Sequence, residues 1–160
     1  MPYAVPNEAS TDSERETRSQ ERQVRLTAQR IIADHLRPRT DADTFWSDID
    51  LDLSGAALID LDLSGAHCRT VTFTGATFTG ITRFVKADFS GTASFDETDF
   101  RGAALFDQGT FGVITFLHAR TTAPLYFEDA EFKAGAPDIP GRQAIVTNDH
   151  GRVVDASDQP

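Results

Sequence analysis

Few side chains in this sequence are equipped for chemistry. Four histidines (His35, His67, His118, His150) and one cysteine, Cys68, are the candidates for metal ligation or nucleophilic attack. A zinc site needs such residues in close pairs, two to five positions apart. No two histidines here stand at that spacing. A nucleophilic cysteine needs an exposed, low-pKa thiol beside a base. His67 adjoins Cys68, and on an extended segment adjacent side chains face opposite ways. Cys68 therefore reads as a buried structural residue. The strongest acidic cluster is Asp48, Asp50, Asp52, Asp60 and Asp62. Calcium binding would need a loop that converges those carboxylates, and the sequence shows none. A solvated face is the plainer reading, which leaves Asp50, Asp52, Asp60 and Asp62 as a candidate interaction surface. No G-x-S-x-G, P-loop or dinucleotide fingerprint occurs. No catalytic, cofactor-binding or metal-binding residue is assigned, and neither an enzyme nor a cofactor is expected.

The 160 residues fit one folded domain, with 39% hydrophobic and 25% charged residues arguing against wholesale disorder. No apolar run reaches the roughly 18 residues of a spanning helix. Met1–Ser10 has the marks of no signal peptide, so a cytoplasmic protein is expected. The net charge of −10 is uneven: residues 1–40 carry +1, residues 41–134 carry −9 and residues 135–160 carry −2. That balance argues against direct nucleic-acid binding and favours a protein partner with a basic surface.

The elements that hold these residues follow from two periodicities. Residues 1–12 read as a flexible lead. Ser13 with Glu16 fits a capping box, and Glu14–Arg18 and Glu21–Arg25 are acid-before-base pairs at i,i+4. A helix is predicted over 13–37, stopped by Pro38. Its apolar set, Val24, Ala28, Ile31, Ile32, His35 and Leu36, marks the face expected to pack. The arginines of this helix read as a solvated polar face.

Beyond it the phenylalanines set a second period. Of 12 in the chain, 11 recur at steps of five or six: Phe73, Phe78, Phe84, Phe89, Phe95, Phe100, Phe106, Phe111, Phe116, Phe127 and Phe132. Leu53, Leu58, Leu63, Cys68 and Thr121 complete the series, giving 16 consecutive units. Two positions before each centre stands a small or aliphatic residue, most often alanine, and the residue between is usually polar. That is strand alternation in very short strands. Such strands cannot fold alone and must stack on copies of themselves. With four units to a coil, the centres sort into the ladders Leu53–Phe73–Phe95–Phe116, Leu58–Phe78–Phe100–Thr121, Leu63–Phe84–Phe106–Phe127 and Cys68–Phe89–Phe111–Phe132. Three of the four six-residue steps then fall between the second and third ladders, as a four-sided coil predicts; small bulges are expected there. Residues 45–134 are assigned to this solenoid. The tail, 135–160, reads as disordered or as a small hairpin pairing residues 143–146 with 152–154.

Ala76-Thr77-Phe78-Thr79-Gly80, Ala87-Asp88-Phe89-Ser90-Gly91 and Ala130-Glu131-Phe132 resemble the bacterial pentapeptide-repeat motif, A-[DN]-[LF]-x-x. The resemblance runs from Leu51 to Lys133. It implies an all-β solenoid, a right-handed quadrilateral β-helix of about four coils with the N-terminal helix capping it. Arg25–Leu36 is similar to a segment preceding the repeats in longer members of that family, some of them membrane-associated. The chain is on that ground a candidate for the C-terminal portion or remnant of such a protein, with Met1–Tyr3 matching an internal stretch. The phenylalanine-filled axis leaves no room for a small-molecule substrate. The function read from the sequence is a rigid, acidic protein–protein interaction module. An alternative is a DNA mimic acting on DNA gyrase, as some members of that family do. The sequence speaks against it in the concentration of acids at one end and in the lack of a convincing C-terminal dimerisation helix.

Overall fold

The computed structural model describes residues 8–39, 44–139 and 144–145. One long helix, α1 (Glu8–Leu36), leads into a β-solenoid of about four coils. Each coil contributes one short strand to each of several parallel stacks. The first stack holds β1 (Asp50–Asp52), β4 (Thr70–Thr72), β7 (Asp88–Ser94), β10 (Thr110–Thr115) and β13 (Glu131–Phe132), with β3 (His67–Cys68) also pairing β7. The second holds β2 (Ala57–Ile59), β5 (Thr77–Thr79), β8 (Asp99–Phe100) and β11 (Arg120–Thr121). The third holds β6 (Thr82–Arg83), β9 (Ala104–Leu105), β12 (Leu125–Tyr126) and β14 (Ala144–Ile145).

The register aligns like with like. Leu58 pairs with Phe78, Phe78 with Phe100, and Phe100 with Thr121. Cys68 pairs with Phe89, Phe89 with Phe111, and Phe111 with Phe132. The other two ladders are held by backbone bonds. Leu53 N–H donates to Thr72 O at 2.7 Å, Phe73 N–H to Ser94 O at 2.8 Å, and Phe95 N–H to Thr115 O at 2.8 Å. Leu63, Phe84 and Phe106 donate likewise to Arg83, Leu105 and Tyr126. Ring therefore lies on ring. Centroid separations are 5.0 Å for Phe73–Phe95, 5.1 Å for Phe95–Phe116, 4.7 Å for Phe78–Phe100 and 4.9 Å for Phe84–Phe106, all near-parallel. Across the axis the rings meet edge to face, as Phe84 meets Phe95 at 5.3 Å. Both geometries are favourable for aromatic quadrupoles. The alanines two positions earlier (Ala66, Ala76, Ala87, Ala93, Ala104) are also buried. Only the ladder ends relax: Leu53, Phe132 and Thr121 are half-buried.

Two of the four corners are tight turns of one kind. Ala56, Ala76, Thr98 and Ala119 donate to the carbonyls of Leu53, Phe73, Phe95 and Phe116 three residues earlier, and the third ladder repeats this at Ala66, Ala87, Gly109 and Ala130. The residue before each donor has positive φ, the mark of a type II turn. Coils one and two fill that position with Gly55, Gly65 and Gly75, and with Lys86; coils three and four use Glu97, Gln108, His118 and Asp129. At the corner between the second and third ladders successive coils lie close together. A Cβ on Gly102 would lie 2.0 Å from the Gly80 carbonyl oxygen. The shift in pairing falls elsewhere, between Phe111 and Val113, where a five-residue step in β10 faces a six-residue step in β7.

Helix α1 differs from the sequence reading in two ways. It begins at Glu8, so residues 8–12 are helical and the lead does not extend to 12. Ser13 lies inside the helix, where its carbonyl accepts Thr17 Oγ1–H at 2.9 Å, and Arg15 pairs with Asp12 at 3.4 Å to support the earlier turn. The packing face is also rotated in part. Leu36 is buried and Ile32 and His35 are half-buried as expected, and Gln29 and Ala33 are buried with them, whereas Val24 and Ile31 are 69% and 49% exposed and Ala28 is exposed. Gln29 explains the choice. Its Nε2 donates to Ile59 O at 2.7 Å and its Oε1 accepts Ile59 N–H at 3.0 Å. One amide side chain thus stands in for a neighbouring strand on the open edge of β2. Arg37 continues the cap, donating to the Ser64 and Asp62 carbonyls at 2.8 and 3.0 Å. At the far end β14 pairs in parallel with β12. That corrects the tail reading: Ala144–Ile145 extends the solenoid, because the open edge of coil four offers paired bonds that a polar tail lacks on its own. The second half of the expected hairpin, 152–154, lies outside the described residues.

Phe95 has phenylalanine neighbours above, below and across the axis, so Phe95→Ala is expected to cost about 3–5 kcal/mol, and Phe95→Asp to prevent folding; thermal and urea melts followed by circular dichroism check both. Gln29→Leu keeps the buried volume but strands both Ile59 backbone groups. It is expected to cost about 1–3 kcal/mol and to speed amide exchange at Ile59 well beyond that at Phe100.

Candidate functional site

The residues singled out for chemistry are kept apart by the coil. His35 stacks on Trp46 at 4.2 Å, and its Nδ1 lies 2.5 Å from Thr44 O, so it closes the junction between helix and solenoid. His67 Nδ1 lies 3.8 Å from Asp88 Oδ2 on the next coil. His118 occupies a left-handed turn position in coil four. His150 lies outside the described residues. Among the described residues no three His, Cys, Asp or Glu side chains converge as metal ligands. Cys68 points inward and is 5% exposed. Burial first, then the nearby Asp50 and Asp88 carboxylates, push its thiol up to about 12. Such a thiol is a weak nucleophile at neutral pH.

The four aspartates of the candidate surface do not form one cluster. Asp50 and Asp52 flank Leu51 on β1. Asp60 follows β2 at a corner, and the backbone of Asp62 pairs with that of Arg83 in a single parallel β-bridge beside the third stack. Three of the four are paired with arginine. Arg69 holds Asp50 with a two-pronged contact, Nε–Oδ1 at 2.9 Å and Nη2–Oδ2 at 2.5 Å. Arg22 lies 3.8 Å from Asp60, and Arg37 lies 3.4 Å from Asp62. Asp52 instead accepts the Ser54 N–H and hydroxyl at 2.9 and 2.6 Å. The hydrogen bond from Arg69 holds the Asp50 carboxyl below the usual range, and the Ser54 bonds do so for Asp52. Burial works to raise Asp62, but the Ser64 bonds and the Arg37 charge outweigh it. These lowered values stabilise the fold above the ordinary carboxylate range, and the contribution is lost as pH falls through them.

The sequence reading missed these arginines because each partner stands one coil or one element away. One signal was available: Arg69 is one coil on from Asp50, since Asp50 pairs with Thr70. A further group of carboxylates without a cationic partner among the described residues lies at the other end. Glu97, Glu128, Asp129 and Glu131 are exposed in coils three and four and form no ion pair there. Asp107 supports that edge by accepting the Glu128 N–H at 2.8 Å.

Native Cys68 is expected to resist a disulfide-exchange reagent at pH 8 and to react fully once the chain is unfolded; a thiol titration in buffer and in guanidinium checks this.

No curated protein and no solved structure matches the chain. A family model of pentapeptide repeats, nine copies long, matches residues 53–99, 63–110 and 84–131. Those overlapping matches cover the stacked coils, and the chain belongs to the pentapeptide-repeat family.

Proposed function

We propose that this chain is a rigid, non-enzymatic module that binds another protein through its acidic edge. The observation that carries the reading is the continuous phenylalanine stack, which fills the axis and leaves recognition to the outer walls. Four coils at the standard strand spacing give walls roughly 15–20 Å tall. A surface of that kind selects partners by shape and by complementary charge. The acidic surface is set at Glu128, Asp129 and Glu131 rather than at Asp50, Asp52, Asp60 and Asp62, because the latter are largely engaged by arginine or by backbone. The partner presents a basic surface.

Affinity capture with three proteins tests this. Wild type is expected to retain a basic partner, and so is a variant with Asp50, Asp52, Asp60 and Asp62 neutralised. A variant carrying Glu128→Gln, Asp129→Asn and Glu131→Gln is expected to lose it. Equal retention by all three overturns the acidic-edge reading. Capture of DNA gyrase, with inhibition of supercoiling, would replace it by mimicry of nucleic acid.

A further inference from the structure

A cleft between α1 and the wall of β2, β5 and β8 carries charge opposite to the chain as a whole. Its volume is about 490 Å³. Arg22 and Arg25 line it from the helix and Arg101 from coil three, with Asp60 the carboxylate among its lining residues. Asp60 is already engaged: Oδ1 accepts Ile81 N–H at 3.2 Å, and Oδ2 lies 3.8 Å from Arg22 Nη2. Arg101 leans on Asp99 at 2.8 Å and stays 60% exposed. Arg25 has no carboxylate partner among the described residues. Three guanidinium groups thus meet two carboxylates, Asp60 and Asp99, both already engaged, and Arg25 is left over, on a chain of net charge −10.

The backbone supplies a second feature. Alternate residues of a strand turn their N–H and C=O to the same side. Ile59 turns both to Gln29 on the helix. Ala57, two residues earlier in β2, turns its pair the same way, and it is exposed at the cleft. Thr77 N–H donates to Ala56 O and Asp60 N–H to Thr79 O, so the ladder to β5 runs through the even-numbered residues and the Ala57 pair faces away from β5, toward the helix.

We propose that this cleft binds an acidic peptide segment in extended conformation. Its carboxylates meet Arg22 and Arg25, whose planar forks suit two-pronged carboxylate contacts. Its backbone takes up the Ala57 groups, as a strand adds to a sheet edge. A peptide fits better than a nucleic acid, because the acidic walls repel a long polyanion while a short segment stays within about 8 Å of the arginines, the screening length at physiological salt. This surface is distinct from the Glu128–Glu131 edge, and the two proposals stand or fall separately.

The test is fluorescence polarisation of a labelled hexaglutamate peptide with the full chain at low salt. Saturable binding that weakens as salt rises is expected. Arg25→Glu is expected to weaken it about tenfold or more and Arg25→Gln by less, with unchanged circular dichroism. Lys86→Glu, on a distant corner, is expected to leave it unchanged. Absence of saturable binding overturns the proposal. So does an Arg25→Glu protein that binds like wild type, or equal loss in Lys86→Glu. Tighter binding of a hexathymidylate than of the peptide would reassign the cleft to nucleic-acid phosphates.

Discussion

Everything in this molecule depends on the in-register stacking of one coil on the next. Strands of two or three residues have no stability of their own. Parallel backbone bonds to the coils on either side supply what they lack, and the same register sets phenylalanine on phenylalanine at about 5 Å. The two effects reinforce each other. A slip of one residue would turn the rings out to solvent and the polar wall residues inward. A solenoid built this way has two open ends, and each needs a cover. Gln29 and Arg37 cover part of the first coil's edge from the helix, and β14 extends the last coil on one side.

The repeat was legible because every unit obeys the same local rule. An inward centre, most often a phenylalanine ring, and an outward residue beside it recur every five or six positions, so the ladders could be read without knowing a distance. The ends were less legible. Hydrophobic periodicity chose Val24 and Ile31 for the packed face of α1. The structure buries Gln29 there instead, because an open strand edge demands hydrogen bonds more than it demands apolar area. The start of the helix was placed late because Ser13 resembles a cap in sequence, yet the helix already runs through it from Glu8.

The charge shows the same division between local and long-range information. The acids of the first coil form a dense run in the sequence, and the coil then distributes them over its walls. Arginines from the helix and the next coil meet three of them. The last coils have fewer bases near their acids, so their exposed carboxylates stay unmatched among the described residues. Net charge thus measures the chain, while the field a partner meets is set by which coil-to-coil neighbours happen to be cations.

The corner turns give the rod a direction. Glycine occupies most left-handed positions in the first two coils, and Glu97, Gln108, His118 and Asp129 occupy them in the last two. A side chain with a Cβ pays roughly 1–2 kcal/mol for that conformation, which glycine adopts freely. Identical turns are therefore relaxed near the helix and loaded toward the other end. In a quasi-one-dimensional stack, where each coil leans only on its neighbours, such a gradient concentrates the backbone strain of these turns in the distal coils.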